Sequence, residues 1–581
     1  MKKSVVLSFL IISANYVHAQ VDVKAWTRLA GTVTLDEGYA AAADPSGNCI
    51  IAGATQGSLG GSNAGRYDMF VGKYDATGNR LWLTQRGTIE RDFAFGVATD
   101  ASGNIYVTGY TGAALDGQAH MGKWDIFLMK FGPTGNWLWT RQIGTGQDDE
   151  GRAVATDSSG NVYITGYVRG DLHGQTRVGL ADVFICKYNS AGTRLWTRLF
   201  GSAEIDESLG IACDAAGSVF VTGWCAGSIE GNPYLGNGDN YLVKYDTNGQ
   251  RLWLRQWGTA NKDTGYSLAT DAAGNVYLSG YTTGQLYGPQ LGERDVFLVK
   301  FDASGNPLWA RQFGTAGHDQ GWGVATDDDG NAYAAGETGG ALHENVHQGG
   351  LDIFLTKYDP TGTRLWTTQV GTAGNDWARG AATATDGITF LAGTTGDNLD
   401  GNPNQGGTDA FAMKFAPAPN EPPAEPTDAL ANPATICSGS SSQLSATPGS
   451  SGDTVEWFTV SCGGTAVPGG ASPTVSPSVT TNYYARTKNS ATGSTSSTCA
   501  TVTVTVNTPT PADLDRDCDV DQSDFNLFAA CISGPTVPLS TGCESSDFDD
   551  DNDVDQSDFG IFQCCYSGAG IPADPNCANS P

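Results

Sequence analysis

DIFLMKFGPTGNWLW, residues 125–139, decides the fold because the chain writes it six times. Its counterparts are DMFVGKYDATGNRLW, DVFICKYNSAGTRLW, DNYLVKYDTNGQRLW, DVFLVKFDASGNPLW and DIFLTKYDPTGTRLW. The copies begin at Asp68, Asp125, Asp182, Asp239, Asp295 and Asp352, and a seventh, shortened copy begins at Asp409. The spacing between successive starts is the same throughout, except that the interval from Asp239 to Asp295 is shorter by a single position. A second phrase keeps the same period, from DPSGNCIIAG at Asp44 through DASGNIYVTG at Asp100 to an eroded TDGITFLAG at Thr385. Periods of this kind signal stacked units that cannot bury their apolar faces alone.

Each unit reads as four short strands. GVATD leads through the turn ASGN into IYVTGY, where Asp and Asn suit turn positions and glycine supplies a positive φ at little steric cost. DIFLMKF and LWTRQIG form a second hairpin around a similar glycine turn. Four-stranded units of about 40 to 50 residues are propeller blades, and the excess here is a loop of constant length such as GYTGAALDGQAHMGKWD. Strands of small residues, GVATD or GIACD, suit convergence on an axis, whereas the LW strands carry Trp and Arg and suit the perimeter. A lone LW-type strand at Trp26 and a lone DAFAMKF at Asp409 are then two parts of the seventh blade, whose completion removes an open sheet edge. Residues 22–415 resemble the SBBP family of bacterial β-propeller repeats through DxFxxK(Y/F)DxxGxxLW and DxxGNxYxxG. That resemblance implies a mainly β, seven-bladed propeller and no particular reaction.

The chain has 581 residues and a formal charge of −30. Several domains are expected at that length, and the charge argues against nucleic acid and anionic membrane surfaces as partners. Residues 1–19 read as a signal peptide: Lys2 and Lys3 precede the apolar run SVVLSFLIIS, and VHA precedes Gln20. The expected location is secreted, extracellular or cell-surface associated, with no transmembrane segment. Thirteen cysteines in an oxidising setting imply disulfides, and an odd count leaves at least one unpaired within the chain.

Enzyme motifs are weak. HENVH at His343–His347 matches a zinc-peptidase pattern that requires a helix to bring both histidines to one face, with Glu344 as base; it stands in a variable blade loop. KYDATGNRLW resembles the tryptophan motif of quinoproteins and the Asp box of sialidases, both structural turns. Two sevenfold series of aspartate remain, the DxF series and Asp36, Asp92, Asp149, Asp206, Asp263, Asp319 and Asp376. One residue type at every symmetric position usually caps backbone N–H groups; the functional alternative is an acidic loop face for a cationic or hydroxyl-rich ligand.

Residues 416–430 are Pro-rich and read as a semi-rigid linker. Residues 431–507 show alternating strands, SSQLSAT, VEWFTV, NYYART and ATVTVTV, that resemble a bacterial Ig-like β-sandwich with Trp457 as its core residue and Tyr483 or Tyr484 near the penultimate strand. Cys437 with Cys499 would clasp its first and last strands and leave Cys462 without a partner.

In residues 508–581 the phrase DLDRDCDVDQSDFNLF, starting at Asp513, recurs as DFDDDNDVDQSDFGIF, starting at Asp547. Aspartate occupies positions 1, 3, 5, 9 and 12 of both: Asp513, Asp515, Asp517, Asp521 and Asp524, then Asp547, Asp549, Asp551, Asp555 and Asp558. Asp519 and Asp553 stand at position 7, where a backbone carbonyl completes an oxygen set of the kind Ca²⁺ takes. A solvating acidic run has no reason to keep that register twice. Phe525 and Phe528, like Phe559 and Phe562, are three apart and share a helical face. The two copies resemble dockerin type I repeats, paired EF-hand-type loop–helix units, which implies two Ca²⁺ ions. The resemblance also implies recognition of a cohesin-like or cell-surface protein through Gln522, Ser523, Gln556 and Ser557. The offset from Asp513 to Asp547 also matches Cys531 with Cys565 and Cys543 with Cys577, so the expected bridges are Cys531–Cys543, Cys565–Cys577 and, from the remainder, Cys518–Cys564. The functional expectation is a non-enzymatic binding or scaffold-associated protein with a glycan or protein ligand on the propeller face. The alternative is an extracellular enzyme or accessory protein of polysaccharide catabolism.

Overall fold

Turn chemistry builds each repeat. In DASGN the Asp100 carboxylate accepts the backbone N–H groups of Ser102 and Asn104, both at 2.9 Å, while Gly103 takes φ 76°. The turn joins strands Asp92–Thr99 and Ile105–Thr111, which continue antiparallel into Asp125–Phe131 and Trp137–Ile143. The computed structural model describes residues 22–384, 387–417, 422–490 and 493–579; the expected signal peptide, 1–19, lies outside them. Two compact units divide at Ala418 and Pro419.

The first unit contains seven such four-stranded sheets. The two middle strands of each are buried on both faces, as Ile105–Thr111 and Asp125–Phe131 are throughout, so the sheets stack face to face. Fourth strands stay open to solvent, with Trp137 and Leu138 exposed. First strands touch one another in sequence, from Asp36–Ala43 and Asp92–Thr99 round to Asp376–Thr383, and the last touches the first. Small residues are required there. A Cβ on Gly380 would fall 2.4 Å from the backbone nitrogen of Ala41.

The N-terminal strand, Asp22–Ala30, is the fourth strand of the sheet that also holds Asp409–Pro417, Thr389–Thr395 and Asp376–Thr383. It joins the first repeat with the bonds the other repeats use. Between the third and fourth repeats, the Trp196 indole and the Lys187 ammonium donate to the Thr247 carbonyl at 3.1 and 2.9 Å, and Arg198 Nε donates to the Gly249 carbonyl at 2.7 Å. At the closure Trp26 and Lys414 donate to the Ala76 carbonyl at 3.1 and 2.9 Å, and Arg28 Nε to the Gly78 carbonyl at 2.9 Å.

In the second unit two sheets enclose Trp457, which is 1% exposed and packs with Leu444, Tyr483, Ala485 and Val504. The segment expected to be wholly linker already contributes a strand, Thr427–Asn432, paired with Ser442–Thr447; the alternation of TDALAN outweighs the prolines before it. Two expected disulfides are corrected. Cys462 pairs with Cys499, and Cys437 pairs with Cys518, leaving Cys564 free and exposed. The reason is topological: Thr435–Cys437 runs parallel to the last strand, with Cys437 beside Asn507, so the chain leaving the sandwich enters the first acidic loop within reach of Cys437. Cys531–Cys543 and Cys565–Cys577 are bridged. The acidic loops lead into α1 (Gln522–Ala529) and α2 (Gln556–Cys565), whose Phe528 and Phe562 rings stack at 5.3 Å.

Candidate functional site

The two acidic loops have one geometry. Asp524, at position 12 and wholly buried, accepts the backbone N–H groups of Leu514, Asp515 and Asp521 at 2.7, 3.1 and 2.9 Å. Asp558 does the same for Phe548, Asp549 and Asp555 at 2.6, 3.3 and 2.9 Å. Asp521 and Asp555 cap their helices with reciprocal capping boxes. Position 6, where a loop of this kind turns sharply, is left-handed in both: Cys518 at φ 73° and Asn552 at φ 72°. Carboxylate oxygens of Asp513, Asp515, Asp517 and Asp524 lie within 4.8 Å of one another, as do those of Asp519, Asp521 and Asp524. In the second loop the corresponding sets are Asp547, Asp549 and Asp551, and Asp553, Asp555 and Asp558. Desolvation and the negative charges of Asp524 and Asp517 push Asp515 up to about 6. This donor set, all oxygen and crowded with like charge, fits a hard divalent cation. Gln522, Ser523, Gln556 and Ser557 are exposed at the helix N-termini.

The two aspartate series of the propeller-like unit do something else. All fourteen side chains are wholly buried. Asp36, Asp92 and Asp263 each accept the N–H of the threonine four residues earlier at 2.6 Å. Asp125 accepts from the Met121 N–H and from Gln142 Nε2, both at 2.8 Å, while Gln142 Oε1 accepts the Leu115 N–H at 2.9 Å. These carboxylates staple the loops that carry them, and none is offered to an outside ligand.

What does vary between repeats is the residue three places beyond the second series: Tyr39, Phe95, Arg152, Leu209, Tyr266, Trp322 and Arg379. All seven are half-buried, and they meet where the first strands converge. Tyr39 and Phe95 touch edge to face at 5.0 Å, and Tyr266 and Trp322 lie 4.3 Å apart. The Arg152 guanidinium lies 4.6 Å from the Phe95 ring centre, and Arg379 lies 4.7 Å from that of Tyr39 and 6.0 Å from that of Trp322. Acidic side chains fix the ring edges: Tyr39 donates to Glu37, Trp322 to Glu337 and Trp224 to Glu207 at 3.3 Å. The result is an asymmetric aromatic and arginine collar on a sevenfold scaffold.

A family model described as a beta-propeller repeat, SBBP, matches residues 81–115, 138–171, 252–288 and 308–342. The chain carries SBBP β-propeller repeats. An Ig-like domain model, CHU_C associated, matches residues 423–508. Among curated proteins the chain is similar to the uncharacterized WD repeat-containing protein L264 of Acanthamoeba polyphaga mimivirus, 23% identical over 64% of this chain and 36% of that protein. It is also similar to the regulatory protein FlaEY of Caulobacter vibrioides, 25% identical over 54% of this chain and 38% of that one. The chain thus spans little more than a third of either relative's length. Among solved structures the Neurospora crassa Pan2 WD40 domain matches with TM-score 0.33 and 13% identity, over 56% of this chain and 90% of that one. A luciferin-regenerating enzyme matches with TM-score 0.30 and 11% identity, over 55% and 90%.

The SBBP repeat accounts for HENVH. Leu342–Glu344 is a single 3-10 turn with His343 at φ 49°, and His343 Nδ1 meets Thr367 Oγ1 at 2.9 Å. His173 occupies the same place three repeats earlier, at φ 52° and 2.9 Å from Thr197 Oγ1. His347 instead faces Asp352 at 3.2 Å, as His120 faces Asp125. The two histidines of HENVH therefore serve separate loop contacts. The collar escaped sequence reasoning directed at repeated residues; its signal is the opposite one, a position within a repeated strand that changes chemistry from copy to copy.

Proposed function

We propose that this is a secreted, non-enzymatic binding protein in which a closed seven-bladed propeller presents a ligand face and the C-terminal module binds two Ca²⁺ ions. In the first loop Asp513, Asp515, Asp517, Asp521 and Asp524 with the Asp519 carbonyl would hold one ion. Asp547, Asp549, Asp551, Asp555 and Asp558 with the Asp553 carbonyl would hold the other. Bound Ca²⁺ supplies the positive charge that lets these carboxylates stay ionised side by side. The observation that carries the reading is the duplicated backbone: the loops starting at Asp513 and Asp547 share a left-handed position 6 and a buried position 12 carboxylate holding three amides. In this dockerin-like reading the exposed pairs Gln522–Ser523 and Gln556–Ser557 contact a cohesin-like or cell-surface protein. Likeness to a WD repeat-containing protein favours a propeller that binds or scaffolds over one that reacts. Calorimetric titration of the full chain with Ca²⁺ tests it: two ions should bind, and one should bind to Asp524→Ala. An unchanged titration in that variant rejects the assignment.

A further inference from the structure

Within the collar one guanidinium has an unmet electrostatic need. Arg152 is paired with Glu150 at 2.7 Å, and Arg294 donates to Gln320 at 2.7 Å. Arg379 has no carboxylate within ion-pair distance among the described residues, and its Nε and Nη1 groups are shut off from solvent without an acceptor. Three rings surround it, Tyr39 at 4.7 Å, Trp377 at 5.6 Å and Trp322 at 6.0 Å. A guanidinium desolvated against aromatic faces, with these two groups left without an acceptor, costs free energy that a carboxylate would offset once a shift of the half-buried side chain brings them within its reach.

The neighbouring rings narrow the chemistry. Tyr39 and Trp322 have their polar edges tied to Glu37 and Glu337, so the parts of their ring faces not covered by Arg379 and Tyr266 are held in orientation in advance. A sugar ring offers an apolar C–H face and hydroxyl edges, and a uronic acid adds the carboxylate that Arg379 lacks. We propose that the axial collar centred on Tyr39, Trp322 and Arg379 binds a carboxylated saccharide, a chain containing uronic acid residues. This rests on the reading of the propeller as a binding platform and is independent of the calcium module.

Full-length protein kept in excess EDTA, so that no Ca²⁺ bridges the C-terminal loops to a polyanion, is titrated calorimetrically with galacturonate, mannuronate and glucuronate oligomers. The methyl esters serve as controls, and hexa-aspartate as an acidic peptide. At least one uronate should bind, its ester about tenfold more weakly, the difference one charge-assisted hydrogen bond makes. Arg379→Lys keeps the charge but loses the fork and should weaken binding about tenfold while melting as the parent does; Trp322→Ala removes a stacking face and should weaken binding about tenfold at a temperature where it is still fully folded, although it melts earlier than the parent. Failure of all three uronates to bind overturns the proposal. Equal binding of acid and ester, unchanged affinity in both variants, or hexa-aspartate binding as tightly as the uronate does so too, the last pointing to an acidic protein partner. Calcium titration of the same preparations without EDTA reports separately on the acidic loops.

Discussion

Asp524 and Asp558 show how one residue joins fold to function. Each is buried and organises its loop through three amides, so its loss would remove the scaffold of the loop together with a proposed Ca²⁺ ligand. Asp558→Ala should abolish Ca²⁺ binding at the second loop and cost about 1–3 kcal/mol in the calcium-free state, the penalty for leaving buried donors unsatisfied. Asp549→Asn, which keeps an oxygen on an exposed residue, should lower affinity at that site and leave calcium-free stability intact or slightly raised, because it removes one of the crowded like charges. Calcium titration with denaturant unfolding in EDTA separates the two outcomes. In the propeller, burial pushes Asp92 up to about 6 against hydrogen bonds from Thr111 and Thr88, from an ordinary value of 3.8. A carboxyl raised in the folded state stabilises while protonated; that contribution is complete below about pH 3.8 and is lost as pH rises through about 6. Asp92→Asn, which has no proton to lose, should gain on the parent by up to about 3 kcal/mol between pH 4 and 7. Denaturant unfolding at a series of pH values measures this, and a constant offset would show that Asp92 is ionised throughout.

Among elements, the N-terminal strand completes a sheet whose other three strands come from the far end of the first unit. Without Asp22–Ala30 the strand Asp409–Pro417 becomes an open edge, and the bonds from Trp26 and Arg28 to the Ala76–Gly78 turn are lost. Trp26→Ala with Arg28→Ala should destabilise the first unit by about 3–5 kcal/mol, mostly from removing the buried indole. Deletion of residues 22–30 should add concentration-dependent self-association through the bare edge. Thermal melting and light scattering distinguish these effects, and a deletion that melts as the parent does would show the strand to be dispensable. Strand positions, the inner strands of small residues and this closing strand were all legible in the sequence, because a strict period states every local signal many times over. The pairing of Cys518 was not legible: it depends on where the Ig-like module's last strand delivers the chain, which no comparison between the two acidic repeats contains. The collar was hidden for a related reason, since its residues vary from copy to copy in strands whose other positions largely repeat.

At the scale of the molecule the cysteines separate two ways of being stable. All four disulfides, Cys437–Cys518, Cys462–Cys499, Cys531–Cys543 and Cys565–Cys577, lie in the second unit. The four cysteines of the first unit, Cys49, Cys186, Cys213 and Cys225, are free, and burial pushes the Cys186 thiol up to about 12, which keeps it unreactive. The first unit thus relies on continuous apolar packing between sheets, whereas the second combines a small sandwich core with two short helices and adds cross-links to them; the proposed Ca²⁺ ions would add to these. Heating the full chain should therefore reveal two transitions with different sensitivities. At free Ca²⁺ a hundredfold above the dissociation constant, each proposed site should add about 2.7 kcal/mol to the unit that contains it. EDTA should lower the melting of the second unit alone. Reduction should lower it further, since opening even one native disulfide in a small domain costs about 2–5 kcal/mol. The first transition should move with neither treatment, since among the described residues the first unit has no disulfide and no cluster of metal-ligating side chains. Scanning calorimetry with and without EDTA and reductant decides it: a shift of both transitions together would mean that the propeller's stability draws on the calcium module, and the two units would have to be treated as one cooperative body.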